Sequence, residues 1–62
     1  MLTCEQRNKA EMFFKLMEYD QLTERQLDLV ERFERQFLNT QDLSQRQFDV
    51  LEDIFNQAAE KA

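Results

Sequence analysis

The chain has no glycine, proline, histidine or tryptophan, and it has a single cysteine. Without glycine it cannot form the phosphate-binding loops of nucleotide-binding proteins, whose backbone needs glycine conformations. Without histidine it lacks the side chain best suited to acid–base catalysis near neutral pH and the commonest metal ligand. One cysteine makes neither an internal disulfide nor a cysteine-based zinc site. These absences predict a protein that is not an enzyme and has no metal, cofactor or catalytic residue.

Long apolar runs are also missing. No window approaches the ~18 consecutive apolar residues that a membrane-spanning helix requires. The first residues, Met1 to Gln6, have neither the basic start nor the apolar stretch of a signal peptide. A lone cysteine is typical of a reducing compartment. The sequence therefore predicts no membrane association and a cytoplasmic location.

The residues that are present favour helix. The chain has 62 residues, of which 42% are hydrophobic, and its net charge is −5. This apolar content is too high for a disordered acidic tail, and the length allows one small domain over residues 1–62. Glutamate, glutamine, arginine and leucine are good helix formers. We therefore expect an all-α fold.

A five-residue pattern occurs three times: leucine, then threonine or serine, two variable residues and glutamine. The copies begin at Leu2, Leu22 and Leu43, so they are 20 and 21 residues apart. The hydroxyl residue of each copy is placed to cap a helix N-terminus, and the glutamine three positions later can complete a capping box. The predicted caps are Thr3, Thr23 and Ser44. The second and third copies share Arg25 with Arg46 and Gln26 with Gln47 within the pattern, and beyond it Asp28 with Asp49, Glu31 with Glu52 and Gln36 with Gln57.

These signals predict helices over about 3–19, 23–38 and 44–60. Short connections make consecutive helices antiparallel neighbours, so we expect a three-helix bundle or a bent three-helix array. Asn39 tolerates a left-handed backbone and is expected to end the second helix. The first helix should begin less firmly, because Leu2 would pack on position 7, which is Arg7.

The second and third helices each carry an apolar stripe at helical spacing, which predicts the core. At the position that matches Phe55 of the third helix, the second helix has Glu34, so its stripe is interrupted. Val50, Leu29 and Leu38 widen the two stripes. The stripes themselves are Leu27, Val30, Phe33 and Phe37, and Phe48, Leu51, Ile54, Phe55 and Ala58.

The first helix has more apolar surface than two neighbours of this length can cover. One stripe contains Ala10, Phe13, Phe14 and Met17, and a second set, Met12, Leu16 and Tyr19, lies on its flank; at 100° per residue the two cover well over half the circumference. Methionine adapts its shape and aromatic residues are favoured at interface centres. We therefore predict a protein-docking surface here, with a homodimer contact or ordinary packing as alternatives. Its predicted residues are Met12, Phe13, Leu16 and Tyr19.

A group of arginines is a candidate contact for phosphates or for an acidic partner. Acidic residues interrupt the group and the net charge is negative, which disfavours direct nucleic-acid binding. We expect pairing within the helix instead, between Asp28 and Arg32 and between Glu31 and Arg35. The arginines are Arg25, Arg32, Arg35 and Arg46.

Acidic residues on the third helix, Asp49, Glu52 and Asp53, predict a solvated face rather than a metal site, because a helix surface seldom supplies enough converging oxygens. Negative charge along the second and third helices suits a basic groove, so the chain could occupy a nucleic-acid-binding surface of another protein. Cys4 is interpreted as an incidental, partly exposed thiol.

The tandem segments beginning Leu22-Thr-Glu-Arg-Gln and Leu43-Ser-Gln-Arg-Gln resemble short helical segments of bacterial and phage accessory proteins, several associated with DNA replication or recombination. The resemblance covers roughly residues 22–57 and assigns no functional residue. It implies a small phage-type accessory polypeptide. The leading hypothesis is an acidic, non-enzymatic protein that docks on a larger protein through its first helix and acidic helix faces, for example as an inhibitor. The alternatives are a self-associating structural module and a nucleic-acid accessory protein that uses the arginines.

Overall fold

A computed structural model describes residues 1–61 and contains three α-helices. They are α1 (Cys4–Leu16), α2 (Glu24–Thr40) and α3 (Gln45–Lys61), with a 3₁₀ turn at Tyr19–Gln21 between the first two. No strand occurs in this part of the chain. The longest dimension is 29 Å, close to the ~26 Å length of one 17-residue helix. The helices therefore lie side by side, and the predicted all-α three-helix bundle is confirmed.

All three predicted capping boxes form. The Thr3 hydroxyl oxygen accepts from the Gln6 amide at 3.1 Å, and the Gln6 side-chain oxygen accepts from the Thr3 amide at 3.0 Å. Each box satisfies helix N-terminal amides that have no partner within the helix. The same reciprocal bonds join Thr23 with Gln26 and Ser44 with Gln47.

The capping glutamines also connect the helices to one another. Each uses its oxygen for the cap and donates from its side-chain nitrogen to a glutamine on another helix. Those bonds are Gln6 to Gln45 at 3.2 Å, Gln26 to Gln57 at 3.1 Å, and Gln47 to Gln36 at 3.1 Å. In the repeat, Gln26 corresponds to Gln47 and Gln36 corresponds to Gln57. Exchanging each residue for its counterpart therefore turns the Gln26–Gln57 bond into the Gln47–Gln36 bond. The repeated sequence therefore folds as two similar antiparallel helices related by an approximate two-fold axis.

The first helix ends at Leu16, three residues earlier than expected. Met17 leaves the helix with φ −59° and ψ 132°, and its side chain is buried in the core. The Tyr19 hydroxyl donates to the Phe14 carbonyl at 2.9 Å, so it satisfies one of the carbonyls that lack an intrahelical partner at the C-terminus. Tyr19 consequently lies in the 3₁₀ turn rather than on α1.

The second helix continues to Thr40, and the prediction that Asn39 ends it is wrong. Gln41 takes the left-handed conformation instead, with φ 60° and ψ 26°, and its amide donates to the Phe37 carbonyl at 2.7 Å. The Thr40 hydroxyl lies 2.9 Å from the Gln36 carbonyl. This contact within the last turn extends α2 beyond Asn39.

The N-terminal segment is held firmly, contrary to expectation. Leu2 is 3% exposed and belongs to the core. Its amide donates to Asp42 Oδ1 at 2.8 Å, across 40 residues of sequence. This bond is the main cause of the lowered pKa of the Asp42 carboxyl, whereas desolvation acts to raise that pKa. Leu2 has no apolar partner at Arg7. The hydrogen bond to Asp42, in the connection between α2 and α3, holds this segment instead.

The core lies where the three helices meet, and α3 packs against both α1 and α2. Leu43, Leu51 and Val30 are its most completely buried large side chains. The predicted stripes are confirmed, except that Leu27 and Phe55 are only half-buried. The buried apolar residues are Leu2, Ala10, Phe13, Phe14, Met17, Val30, Phe33, Phe37, Leu43, Phe48, Leu51, Ile54 and Ala58.

Candidate protein-docking surface

Three of the four side chains predicted to bind a partner are exposed. Met12 is 43% exposed and Leu16 is 58% exposed on α1, and Tyr19 is 39% exposed in the following turn. On α2, Leu38 is 68% exposed. The bundle therefore leaves large apolar side chains in water on both helices, and the predicted exposure of the α1 flank is confirmed.

Phe13 does not belong to this surface. It is 5% exposed, and its ring centroid lies 4.8 Å from that of Phe55 and 5.9 Å from that of Phe48. Consecutive helical residues point about 100° apart, so Phe13 faces α3 while Met12 beside it faces solvent. Its inclusion among the partner-binding residues is corrected on this ground.

An open groove of about 250 Å³ runs between α1 and α2. We call it the α1–α2 groove. Its apolar base is Phe14 from α1 and Phe37 from α2, whose ring centroids are 5.7 Å apart. The remaining lining residues are Glu11, Lys15, Glu34, Leu38 and Gln41.

The two repeat copies differ at a position that borders the groove. In α3, Phe55 packs against the Phe13 ring and fills the space beside α1. The equivalent position in α2 is Glu34, which is half-buried and lines the groove. Removing a carboxylate from water without a partner is costly, so Glu34 does not fill the corresponding space. The interruption seen in the apolar stripe of α2 thus becomes a groove.

A second, shallower depression covers the solvent side of α1, where Met12 and Leu16 lie beside Asn8. It shares Glu11 and Lys15 with the α1–α2 groove. The two depressions are therefore neighbours on one face of the molecule. We call this combined face the docking surface.

Leu38 on the docking surface was expected to widen the core stripe of α2, and that expectation is wrong. A signal for its exposure was present in the sequence. Leu38 follows Glu34 by four positions, and such residues share a helix face. The glutamate was therefore a sign that the stripe loses its apolar character towards Leu38, although Val30, four positions before Glu34, is buried.

Carboxylates dominate the electrostatics near the groove. The pKa of the Tyr19 phenol is raised by partial burial first and then by the negative charges of Glu34 and Glu31. Both carboxylates therefore act on Tyr19, whose hydroxyl donates to the carbonyl of the groove residue Phe14. Farther along the groove, Glu11 is accompanied by Lys15. Negative charge consequently outweighs positive charge around the apolar base.

The candidate arginines lie elsewhere. All four are exposed, and none lines the α1–α2 groove. Asp28 and Arg32 form the predicted ion pair at 3.2 Å, whereas Glu31 and Arg35 form none within 4.0 Å among the described residues. Asp28 is then a partner that a phosphate would have to displace from Arg32. The four arginines are Arg25, Arg32, Arg35 and Arg46.

Metal, thiol and membrane features add no second candidate. Asp49 and Asp53 accept from the side-chain amides of Gln45 and Gln57 at 3.4 and 2.9 Å. Across residues 1–61, no group of three or more acidic or cysteine side chains is arranged to hold a metal ion. Cys4 is an exposed free thiol. None of the described helices has the length and apolar content needed to cross a bilayer.

Comparison of the chain with protein-family models, curated proteins and solved structures gives no match. The resemblance to bacterial and phage accessory proteins therefore stays a prediction, and the docking surface has to be interpreted from its own geometry.

Proposed function

We propose that this protein is a small, acidic, non-enzymatic polypeptide that binds a larger protein through the docking surface. The observation that carries the proposal is an apolar face left open beside a completed core. Met12, Leu16 and Leu38 are exposed next to a groove whose base is made of Phe14 and Phe37. Exposed apolar side chains gathered around a groove in this way are typical of an interaction site.

The energetics support the proposal. Full burial of a leucine, methionine or phenylalanine side chain contributes about 1.5–3 kcal/mol relative to exposure. A partner covering Met12, Leu16 and Leu38 would recover this contribution at several side chains at once. Interfaces depend mainly on a few such central apolar residues, and this face provides them.

The accessory or inhibitor role and the cytoplasmic location belong to the same proposal. A chain of 62 residues with net charge −5 suits a polypeptide that occupies a surface of a larger protein, where charge complementarity selects the partner. The exposed acidic side chains of α2 and α3 would then contribute to selection, and the docking surface would provide most of the affinity.

The test combines association state with capture from the source cell. Leu16→Lys places a charge on the docking surface, and Asn56→Lys places the same charge at an exposed position of α3. We expect a monomer in sedimentation velocity at micromolar concentration, and a captured protein that binds the wild type and Asn56→Lys but not Leu16→Lys. Circular dichroism should show equal helicity in all three proteins.

Two results would count against the proposal. If Leu16→Lys retains every captured protein, the surface is not the binding site. If the wild type sediments as a dimer that Leu16→Lys dissociates, the face is a contact between copies of the chain, and the self-associating module is the better description.

A further inference from the structure

The shape of the α1–α2 groove selects the kind of element that fits it. Its walls are two helices whose backbone groups are already bonded within each helix. A peptide bound as a β-strand needs free backbone partners, and helix walls offer none. A helix satisfies its own backbone and packs its side chains into the channel between two others. Because α3 lies behind both walls, a further helix here would complete a four-helix arrangement.

The size of the groove also argues against a small molecule. Its volume is about 250 Å³, whereas pockets for small ligands commonly enclose about 300–1,000 Å³. A few apolar side chains projecting from a helix would fit the space above Phe14 and Phe37. Residues spaced by three, four and seven positions provide such a row on one helix face.

The charges select the partner further. Glu11 and Glu34 line the groove with Lys15 as the only cation among its lining residues. Glu31 adds negative charge near Tyr19, which is hydrogen-bonded to Phe14. A second copy of the chain in a two-fold contact would place this same acidic face against itself. It would also bring together two molecules of net charge −5. Complementarity therefore favours a cationic partner.

We infer that the occupant of the α1–α2 groove is a basic amphipathic helix of another protein. Its apolar row lies on Phe14, Phe37 and Leu38, and its lysines or arginines face Glu34 and Glu11. This inference rests on the proposed function, because it names the class of partner for the same surface.

The experiment uses designed peptides as probes. Two helical peptides share one row of leucines at positions i, i+4 and i+7, and their polar positions are all lysine in one and all glutamate in the other. Titration into the isotope-labelled full-length protein should show saturable binding of the lysine peptide. Amide shift changes should centre on Phe14, Phe37 and Leu38. The glutamate peptide should bind at least tenfold more weakly.

Variants separate the groove from overall charge. Glu34→Lys should weaken binding of the lysine peptide at least tenfold. Asp49→Lys makes the same charge change on an exposed part of α3, outside the groove, and should have less than a third of that effect. Leu38→Lys alters a side chain that is already 68% exposed, so it tests the groove even if Glu34→Lys is unstable.

Four outcomes would overturn the inference. Equal affinity for the two peptides would show that charge does not select the partner. Equal loss of lysine-peptide affinity in Glu34→Lys and Asp49→Lys would show that only the net charge of the protein matters. Concentration-dependent shifts at Phe14 and Phe37 in the protein alone would assign the groove to a second copy. If cellular capture still depends on Leu16 while the lysine peptide fails to bind, the proposed function stands and this inference falls.

Discussion

The two sides of α1 make very different contacts. Against α3, the Phe13 ring packs on two aromatic rings, and Gln6 donates a hydrogen bond to Gln45. Against α2, Phe14 and Phe37 meet at 5.7 Å beneath an open groove. No side-chain hydrogen bond joins α1 to α2 among residues 1–61. One interface is closed by packing and polar bonds, and the other is closed only at its base.

The difference is instructive because α2 and α3 are related repeats joined by exchanged glutamine bonds. Their residues differ at several equivalent positions, among them Glu34 against Phe55 and Phe37 against Ala58. Phe55 helps to close one interface, and Glu34 borders the open groove of the other. The surface available for a partner therefore lies where the repeat is broken.

The largest expected effect compares the two phenylalanines of α1. Phe13→Ala removes a ring from the closed interface and should cost about 3–5 kcal/mol of unfolding free energy. Phe14→Ala should cost at least ~1 kcal/mol less, because one side of that ring already borders the groove. Urea denaturation followed by circular dichroism measures both.

The total stability of a 62-residue domain is roughly 3–9 kcal/mol, so Phe13→Ala should leave much of the chain unfolded. Equal costs would mean that the two interfaces are equally well packed.

Much of the fold was predictable because its signals are local. Capping boxes depend on residues three positions apart, and apolar stripes depend on helical periodicity, so both were recognised without tertiary information. The exposed flank of α1 was predicted from excess apolar surface, and Met12 and Leu16 are exposed as that reasoning requires. Phe13 was misassigned because periodicity alone does not show which edge of a wide apolar face meets α3.

The remaining features depend on contacts between distant residues. The buried Leu2 donates its amide to Asp42, which is 40 residues away, and α1 ends early where Met17 enters the core. The groove depends on whether α1 packs more closely against α2 or against α3. Glu34 interrupts the apolar stripe of α2 and so favours looser packing on that side. The assembled bundle is needed to show that Glu34 faces the gap between α2 and α1.

A smaller effect is expected from changing the residue that distinguishes the interfaces. Glu34→Leu should stabilise the protein by about 1 kcal/mol, because it replaces a half-buried carboxylate with apolar surface. It should also lower the pKa of Tyr19 towards its ordinary value, since one of the two nearby negative charges is lost. Chemical denaturation and ultraviolet titration of the phenol measure the two quantities.

Glu31→Leu is the matched control for that change. It removes the same charge from the other carboxylate near Tyr19, but Glu31 is exposed, and exposed substitutions usually alter stability by less than about 0.5 kcal/mol. If both variants stabilise equally, removal of negative charge explains the gain, and the groove is not a packing defect left by Glu34.

The smallest effect concerns the start of the closed interface, where the Leu2 amide donates to Asp42. The pKa of Asp42 is lowered from 3.8 in the folded protein, chiefly by this bond. Its stabilising contribution is therefore complete above the unfolded pKa and is lost as pH falls through the folded pKa. Asp42→Asn retains an oxygen acceptor without the charge, so its thermal midpoint should fall less steeply with acid than that of the wild type. Asp20→Asn, at an exposed position of the 3₁₀ turn, should retain more of the wild-type dependence of the thermal midpoint on pH. If the two variants show the same dependence, the charge at the Leu2 contact adds nothing to stability.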